Sequence, residues 1–134
     1  MKEVGFTGTQ RGMTEKQELE VTAQLILLQQ DGYGIFHHGD CIGADSQAHD
    51  IAKKLGYDIV LHPPDENYKR AFRTKGAVRI EPVRPYLLRN RDIVASSTFL
   101  IAAPKTELEE LRSGTWTTVR YARKAGIFVK VVLP

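Results

Sequence analysis

The chain has 134 residues, of which 42% are hydrophobic and 26% charged, a composition typical of a folded globular protein. This length accommodates one hydrophobic core and is short for two, so we predict a single domain over residues 1–134. No apolar run of about 18 residues occurs, which excludes a membrane-spanning helix, and the single cysteine excludes an internal disulfide framework. The charged N-terminus lacks a signal-peptide pattern, and we therefore expect a cytoplasmic protein.

The formal net charge of +3 conceals an uneven distribution of charge along the chain. Residues 1–67 carry 5 Lys/Arg and 11 Asp/Glu, whereas residues 68–134 carry 14 Lys/Arg and 5 Asp/Glu. Eight of those 14 cations lie within Tyr68–Arg91, where Glu81 is the one acidic residue. Such a segment favours phosphate-bearing partners, either a nucleotide or a nucleic acid, although a solvated basic surface has the same composition.

The first predicted strand, Val4–Thr7, leads through a loop with glycines at its ends to a long helix. Thr14-Glu15-Lys16-Gln17 has the pattern of a capping box, which predicts a helix from Thr14 to about Gln30. The residues predicted to form its buried face are Leu19, Ala23, Ile26 and Leu27. A strand, a glycine loop and a helix start in this order can bind an anion through backbone N–H groups. A tight turn has the same pattern, and the glycine spacing fits neither a Walker loop nor a dinucleotide fingerprint.

Strands and helices alternate through the rest of the chain, apart from one long basic stretch. The predicted strands cover 34–38, 57–62, 98–103 and 127–133, and the predicted helices cover about 45–55, 86–96 and 113–125. Residues 63–85 show no firm periodicity, so we predict a functional or mobile loop with a short helix near 66–72. The charged residues 105–112 are predicted to form a connecting loop or helical turn.

Five strands that alternate with helices, with no hairpin turns between them, predict an α/β fold. The expected architecture is Rossmann-like, a doubly wound parallel sheet of about five strands with helices on both faces. Ligands of such sheets bind at the carboxyl ends of the strands, near a topological switch. The unusual loops all follow strands and should therefore lie together at that edge.

Three stretches of the chain together resemble the SLOG superfamily. They are Gly5–Arg11, His38–Asp45 and Arg89–Val94, which correspond to a first glycine–arginine loop, a His-Gly loop and an Arg-Asn helix. The superfamily includes DNA-processing protein A, the Lonely-Guy enzymes and molybdenum-cofactor carrier proteins. The likeness covers nearly the whole chain and is greatest to small bacterial and phage members, the YspA-like or cpYpsA-related proteins.

This resemblance implies a Rossmann-like fold that binds a nucleotide or nucleotide-derived ligand, without assigning a certain cofactor or a metal. It also implies that loops and helix starts at the sheet edge line the site, and that pairing into a homo-oligomer through flanking helices is common. The residues that it places in the ligand site are Gly8, Thr9, Arg11, Gly39, Asp40, Gly43, Asp45, Arg89, Asn90, Ser113, Gly114 and Thr115.

Several of these residues have a structural interpretation as well. Asp45 precedes an apolar-periodic stretch, so a helix N-cap is favoured over catalysis. Asp40 replaces the second glycine of the family loop, and its carboxylate can bind a ribose hydroxyl or metal-bound water, or accept loop N–H groups. Both aspartates are the candidate catalytic residues. Residues 37 and 38 are consecutive histidines of one strand, point to opposite faces and therefore cannot share a metal.

The last helix bears on whether the protein is an enzyme. Lonely-Guy enzymes carry Gly-Gly-x-Gly-Thr-x-Glu-Glu, whose first glutamate acts on the ribose–base bond. Alignment with Ser113–Arg120 puts Arg120 at the glutamate position. Arginine stays protonated and cannot act as a general base or stabilise an oxocarbenium cation. We therefore expect no phosphoribohydrolase reaction by that mechanism, and we expect Arg120 to favour a bound phosphate.

Three functions remain open from the sequence. The leading hypothesis is a binding module for a phosphorylated nucleoside or nucleotide derivative. The first alternative is a nucleotide-processing N-glycosidase that uses an aspartate. The second alternative is single-stranded nucleic-acid binding through the basic Tyr68–Arg91 segment, whose interleaved aromatic residues are Tyr68, Phe72 and Tyr86.

Overall fold

A computed structural model of the chain describes residues 2–134. Within them, the strands are β1 (Glu3–Gly8), β2 (Ile35–His38), β3 (Asp58–Leu61), β4 (Ala77–Ile80), β5 (Phe99–Ala103) and β6 (Phe128–Val131). The helices are α1 (Glu15–Gln30), α2 (Ala44–Lys54), α3 (Tyr86–Ala95) and α4 (Gly114–Lys124). One turn of 3₁₀ helix, Asn67–Lys69, lies inside the predicted short helix of the long basic stretch.

All strand pairs are parallel, and the strand order is β4-β3-β2-β1-β5-β6. The chain winds outward from β1 to β4 and then returns across the sheet to β5 and β6. The winding direction therefore reverses between β1 and β5, and the connections that follow these two strands diverge. The predicted α/β, Rossmann-like class with a parallel sheet is confirmed.

Helices cover both faces of the sheet, as the alternation of side chains along β5 shows. Ile101 and Ala103 belong to the core that includes Val21 of α1. Leu100, which points to the opposite face, packs instead with Ile93 of α3. Each face of the sheet is thus buried against one pair of helices, α1 with α2 and α3 with α4.

The sheet has a strand that the sequence did not predict. In the described residues, the β4 strand lies at the sheet edge and pairs with β3 alone, with an irregular register between Ile59 and Val60. Val78 and Ile80 of this strand are 61% and 46% exposed. An edge strand that buries little apolar surface has neither the alternation nor the apolar run that identifies a strand in sequence.

The predicted buried face of α1 is wrong. Leu19 and Leu27 are 67% and 58% exposed, whereas Val21 and Leu25 are fully buried. Two sets of residues in this helix have helical spacing, so periodicity alone did not decide which set faces the sheet.

Gln17 helps to decide the orientation of α1. Its side-chain amide donates to the carbonyl oxygens of Pro104 (2.8 Å) and Val132 (2.9 Å), which join the buried face to the ends of β5 and β6. Its Oε1 accepts the Thr14 N–H, while Thr14 Oγ1 accepts the Gln17 N–H, so the predicted capping box is confirmed.

In residues 2–134, no helix combines the length and apolar character needed to cross a bilayer.

Candidate functional site

A cavity of about 400 Å³ lies at the carboxyl ends of β1 and β5, where the winding direction reverses. Ten of the twelve residues predicted for the site line it, from Gly8 in the first loop to Thr115 in α4. Asp40 and Gly43 do not line it. The lining residues that the sequence did not identify are Phe6, Thr7, Gln10, Cys41, Tyr86, Ile93, Lys105 and Arg112.

The loop after β1 is fixed by Thr9. Its N–H donates to the Ala103 carbonyl (3.0 Å), its carbonyl accepts the Ala44 N–H (2.9 Å), and its Oγ1 accepts the Arg11 N–H (3.1 Å). Gly8 is required by packing, because a Cβ there would lie 2.6 Å from the Ala44 Cβ. The loop is thus held between β5 and the start of α2, with Arg11 exposed at the cavity rim.

Arg89 forms a buried part of the cavity wall and is only 4% exposed. Its Nη1 donates to the carbonyl oxygens of Gly39 and His62, the latter at 3.0 Å, and its Nη2 lies 3.5 Å from Cys41 Sγ. Among residues 2–134, its Nε is a buried donor without a partner, and no carboxylate lies within 4.0 Å of the guanidinium. A buried guanidinium with an unsatisfied N–H group and no adjacent carboxylate is stabilised by a bound anion.

Gly39 is the residue that leaves room for this guanidinium. A Cβ at position 39 would lie 2.1 Å from Arg89 Nη1. The glycine therefore serves the approach of an arginine side chain, a role that its sequence motif alone does not reveal.

Asp45 lies in the first turn of α2 and lines the same cavity. Its Oδ2 accepts the N–H groups of Gly39 (3.1 Å) and Cys41 (3.2 Å). The N-cap prediction for Asp45 is wrong, because Gly43 occupies that position and the carboxylate turns back to the loop. Burial raises the pKa of Asp45 to about 6, in opposition to Arg89 and the two N–H groups, and burial raises the pKa of the Cys41 thiol to about 11.

Asp40 is fully buried and faces away from the cavity. Its Oδ2 accepts from Arg70 Nε and its Oδ1 from the Arg73 N–H, both at 2.8 Å. Of its three predicted roles, acceptance of loop N–H groups matches this placement. Gly43 packs on the first loop, where a Cβ would lie 2.3 Å from the Gln10 carbonyl oxygen.

The start of α4 meets the cavity through Ser113, Gly114 and Thr115. Ser113 is the N-cap, and its Oγ accepts the Trp116 N–H at 3.2 Å. The N–H groups of Gly114 and Thr115 have no protein acceptor within the part of the chain that the structure describes. Unpaired N–H groups and the helix dipole at this end favour a bound anion.

The cavity has an excess of positive charge. Its lining includes the cations Arg11, Arg89, Lys105 and Arg112 and the single carboxylate of Asp45. In residues 2–134, none of these four cations has a carboxylate within 4.0 Å. Lys105 follows the end of a predicted strand, and Arg112 precedes the start of a predicted helix. These positions could have identified both cations as site residues from the sequence.

The basic Tyr68–Arg91 segment has a different electrostatic state, since five of its eight cations pair with carboxylates. These pairs are Lys69–Glu66, Arg70–Asp40, Arg73–Asp50, Arg79–Glu81 and Arg84–Asp92. Of the remaining cations, Arg89 lines the cavity and Arg91 lies over the Tyr121 ring, 5.1 Å from its centroid. Within residues 2–134, the segment therefore has fewer cations without a carboxylate partner than its sequence indicated.

Arg120 lies outside the cavity wall. Its Nη1 donates to Glu109 Oε2 (2.7 Å), and its Nη2 donates to the Leu111 carbonyl oxygen (2.9 Å). The expectation that Arg120 itself favours a bound phosphate is wrong, because groups of the preceding loop occupy its donors.

The Gly-Thr pair of the Lonely-Guy motif offers a better alignment, since Gly114 and Thr115 lie at the cavity. That alignment sets the two glutamates of the motif at Thr117 and Thr118. Their hydroxyls donate to carbonyl oxygens one turn earlier, at 2.8 and 2.9 Å. Neither alignment places a carboxylate on this helix.

The consecutive histidines of β2 bond to different partners on opposite faces of the sheet. His37 Nδ1 lies 2.8 Å from His62 Nε2, and His38 Nε2 lies 3.0 Å from His49 Nδ1. Burial lowers the pKa of each of these four histidines. Across residues 2–134, no group of three or more His, Cys, Asp or Glu side chains is arranged to hold a metal.

Solved structures share this fold over nearly the whole chain. The molybdenum cofactor binding protein of the phototrophic bacterium Rippkaea orientalis superposes with a TM-score of 0.72 and 18% identity, over 99% of this chain and 77% of that one. DNA processing protein A of Streptococcus pneumoniae gives 0.71 and 18%, over 98% of this chain and 50% of that one. DNA processing protein A of Helicobacter pylori, whose single-stranded DNA binding has been described structurally, gives 0.67 and 19%, over 97% and 64%.

The resemblance inferred from the sequence motifs is thus confirmed as a shared fold. The chain spans about two thirds or less of the DNA processing proteins that it matches. No protein-family model matches the chain, and no curated protein matches it.

Proposed function

We propose that the chain binds a phosphorylated nucleoside or another nucleotide-derived phosphate ester in this cavity. The observation that carries the proposal is the set of four lining cations without carboxylate partners in residues 2–134, which includes the buried Arg89. Unpaired N–H groups at the start of α4 add further donors for phosphate oxygens.

The size and walls of the cavity support a ligand larger than phosphate alone. A volume of about 400 Å³ falls in the range of small-molecule sites. The half-buried ring of Tyr86 contributes apolar surface next to the polar loops, whereas Phe6 and Ile93 lie in the wall with almost no exposed area. The phosphate would lie among Arg89, Arg112 and the start of α4, with a flat ring against Tyr86.

The shared fold is consistent with a ligand of this class. One structural relative binds molybdenum cofactor and another binds single-stranded DNA. Because the sequence identity is 18–19%, the ligand of this chain has to be argued from its own cavity.

The enzymatic alternative depends on Asp45. Asp40 is bound to Arg70 and Arg73 outside the cavity, whereas Asp45 is the one carboxylate of the lining and has a pKa raised to about 6 by burial. A raised pKa suits general acid–base chemistry. However, the N–H groups of Gly39 and Cys41 both donate to Asp45 Oδ2, so the carboxylate also has a structural role in holding the loop.

Nucleic-acid binding is the weaker alternative. Tyr68 and Phe72 are 74% and 53% exposed and offer surfaces for base stacking. The neighbouring cations Lys69, Arg70 and Arg73 already pair with carboxylates, which removes much of the electrostatic attraction for a phosphate backbone.

Calorimetry with adenosine 5′-monophosphate and with adenosine tests the proposal. We expect binding of the monophosphate and at least a tenfold weaker affinity for the nucleoside, roughly the effect of losing one charged hydrogen bond. Equal affinity for the two compounds, or binding of neither across a panel of bases, would refute it. Native mass spectrometry of protein purified from cells identifies any ligand retained during purification.

Chromatography for free base distinguishes binding from turnover. We expect no protein-dependent release of base from a panel of nucleoside monophosphates. If base is released and the release disappears in an Asp45→Asn variant, the enzymatic alternative replaces simple binding.

A further inference from the structure

The loop that connects β5 to α4, residues 104–113, brings two cations to the cavity, and little apolar contact holds this loop in place. Lys105 near the start of the loop and Arg112 near its end both line the cavity. Its leucines, Leu108 and Leu111, are 81% and 83% exposed, and it contains neither helix nor strand. Since burial does not fix this loop, polar contacts have to determine where Arg112 lies.

Arg120 of α4 supplies three of those contacts, and Thr106 Oγ1 supplies two within the loop, to the Leu108 carbonyl oxygen (3.0 Å) and to Glu110 Oε1 (3.1 Å). Arg120 Nη1 donates to Glu109 Oε2 (2.7 Å) and to the Glu110 carbonyl oxygen (3.4 Å). Its Nη2 donates to the Leu111 carbonyl oxygen (2.9 Å) and to Thr117 Oγ1 (3.2 Å), which orients the guanidinium on the helix. A planar fork of donors can hold a carboxylate and successive carbonyls at once, which lysine cannot.

These contacts end at the peptide bond that precedes Arg112. The bonded Leu111 carbonyl belongs to that peptide bond, and the Ser113 N–H donates to the Glu110 carbonyl oxygen (3.4 Å), closing a turn around Arg112. Arg112 itself has no carboxylate within 4.0 Å among residues 2–134. Its backbone is therefore fixed on both sides while its side chain stays available to the cavity.

We propose that Arg120 is a positioning residue of the cavity, which holds the Glu109 side chain and the Glu110 and Leu111 carbonyl oxygens so that Arg112 remains at the rim to meet a phosphate. This inference rests on the proposed function. Without the hydrogen bonds of Arg120, ligand binding has to order the loop, and the free-energy cost of this ordering lowers the affinity for the ligand. The Arg120–Glu109 pair is 34% and 46% exposed, so its effect on overall stability is small.

A double-mutant cycle on affinity for adenosine 5′-monophosphate tests the role. We expect Arg112→Ala and Arg120→Ala each to weaken binding about tenfold. The double variant should bind no more weakly than Arg112→Ala, because Arg120 acts through Arg112. The matched control is Arg123→Ala, which removes an exposed arginine from the same helix outside the cavity and should leave affinity unchanged.

Hydrogen exchange of the ligand-free protein gives a second readout. Arg120→Ala should speed exchange over residues 108–112 and leave the sheet unchanged. Additive losses in the cycle, unchanged affinity in Arg120→Ala, or unchanged exchange in the loop would each overturn the positioning role. If the wild-type protein binds no monophosphate, the proposed function fails instead, and the exchange result alone decides whether Arg120 fixes the loop.

Discussion

The basic Tyr68–Arg91 segment and the cavity differ in how their charges are compensated. In the segment, five of eight cations pair with carboxylates from the same or neighbouring elements. In the cavity, Arg11, Arg89, Lys105 and Arg112 have no such partner in residues 2–134. The cavity therefore has the stronger claim to an anionic ligand, although the segment has the higher density of basic residues in sequence.

The difference follows from where the acidic residues fold. Asp40 and Asp50 belong to the acidic first half of the chain, and the fold brings them to Arg70 and Arg73. Three ion pairs, Lys69–Glu66, Arg70–Asp40 and Arg73–Asp50, thus join a cation of the second half of the chain to a carboxylate of the first half. Net charge in a sequence window measures attraction for phosphate only when the folded partners of its residues are known.

The largest expected effect comes from removing the buried partner of the segment. Asp40→Gly should lower the free energy of unfolding by about 3 kcal/mol, because it leaves the mostly buried Arg70 without its carboxylate. Glycine suits the φ of 53° at this position, so the loss reports contacts rather than backbone strain. Urea unfolding measures the change, and affinity for adenosine 5′-monophosphate should stay within about twofold, the small change expected for a residue outside the site.

Asp50→Ala is the matched control, since Asp50 pairs with Arg73 at the surface. It should cost only about 0.5 kcal/mol, as is usual for an exposed pair. Equal losses of unfolding free energy in the two variants would show that the buried Asp40–Arg70 pair stabilises the fold no more than the exposed Asp50–Arg73 pair does.

The pH dependence of stability tests the burial of His62, whose carbonyl oxygen accepts from Arg89 Nη1 in the cavity wall. Burial, together with His37 and Arg89, lowers the pKa of His62 to about 4 from 6.5. As the pH falls, the unfolded chain protonates His62 before the folded protein does. The contribution of His62 to the free energy of unfolding is therefore fully present above pH 6.5 and is lost as the pH drops toward 4. We expect a loss of about 2–3 kcal/mol from His62 alone between pH 7 and 4.5.

Other groups modify this profile. Burial also lowers the pKa values of His37, His38 and His49, which adds to the loss, whereas the raised pKa of Asp45 opposes it. Urea unfolding at the two pH values should show a net decrease, and His62→Gln should flatten the slope. Equal or greater stability at pH 4.5 would show that these histidines are not buried in the neutral form.

The next effect in size concerns binding. Arg89→Ala should weaken affinity for adenosine 5′-monophosphate by about 2 kcal/mol, the scale for one charged hydrogen bond. Calorimetry measures it, and a thermal melt confirms that the variant is folded. Arg91→Ala, an exposed arginine of the same helix, should bind normally. Unchanged affinity in Arg89→Ala would remove this residue from the site.

The smallest expected effect is that of an exposed pair of the segment. Arg79→Ala should change the free energy of unfolding by less than about 0.5 kcal/mol, because Arg79 and Glu81 are 57% and 33% exposed. Binding of single-stranded oligonucleotides is measured at about 50 mM salt, because phosphate-driven affinity is greatest at low salt. The Arg79→Ala variant and the wild type should bind the oligonucleotides equally weakly. Tight wild-type binding that Arg79→Ala reduces would restore the nucleic-acid hypothesis.

The sequence predicted the sheet and its order of elements because buried parallel strands are apolar and end at glycine or proline. It could not predict β4, which is exposed, or the orientation of α1, where Gln17 rather than an apolar residue marks the buried face. For the cavity, the glycine motifs identified the loops, since their spacing is local. The burial of Asp40 by Arg70 and Arg73 arises from contacts 30 and 33 residues apart, which local patterns do not contain.

Removing two charges from each region, and comparing affinity for adenosine 5′-monophosphate, shows whether the cations of the cavity bind the phosphate. One variant is Arg11→Ala with Arg112→Ala, and the other is Arg79→Ala with Arg84→Ala, so the change in net charge is the same. We expect a loss of about thirtyfold or more in the cavity variant and a change within about twofold in the segment variant. Equal losses in the two variants, or a greater loss in the segment variant, would contradict the claim that unpaired cations of the cavity bind the phosphate.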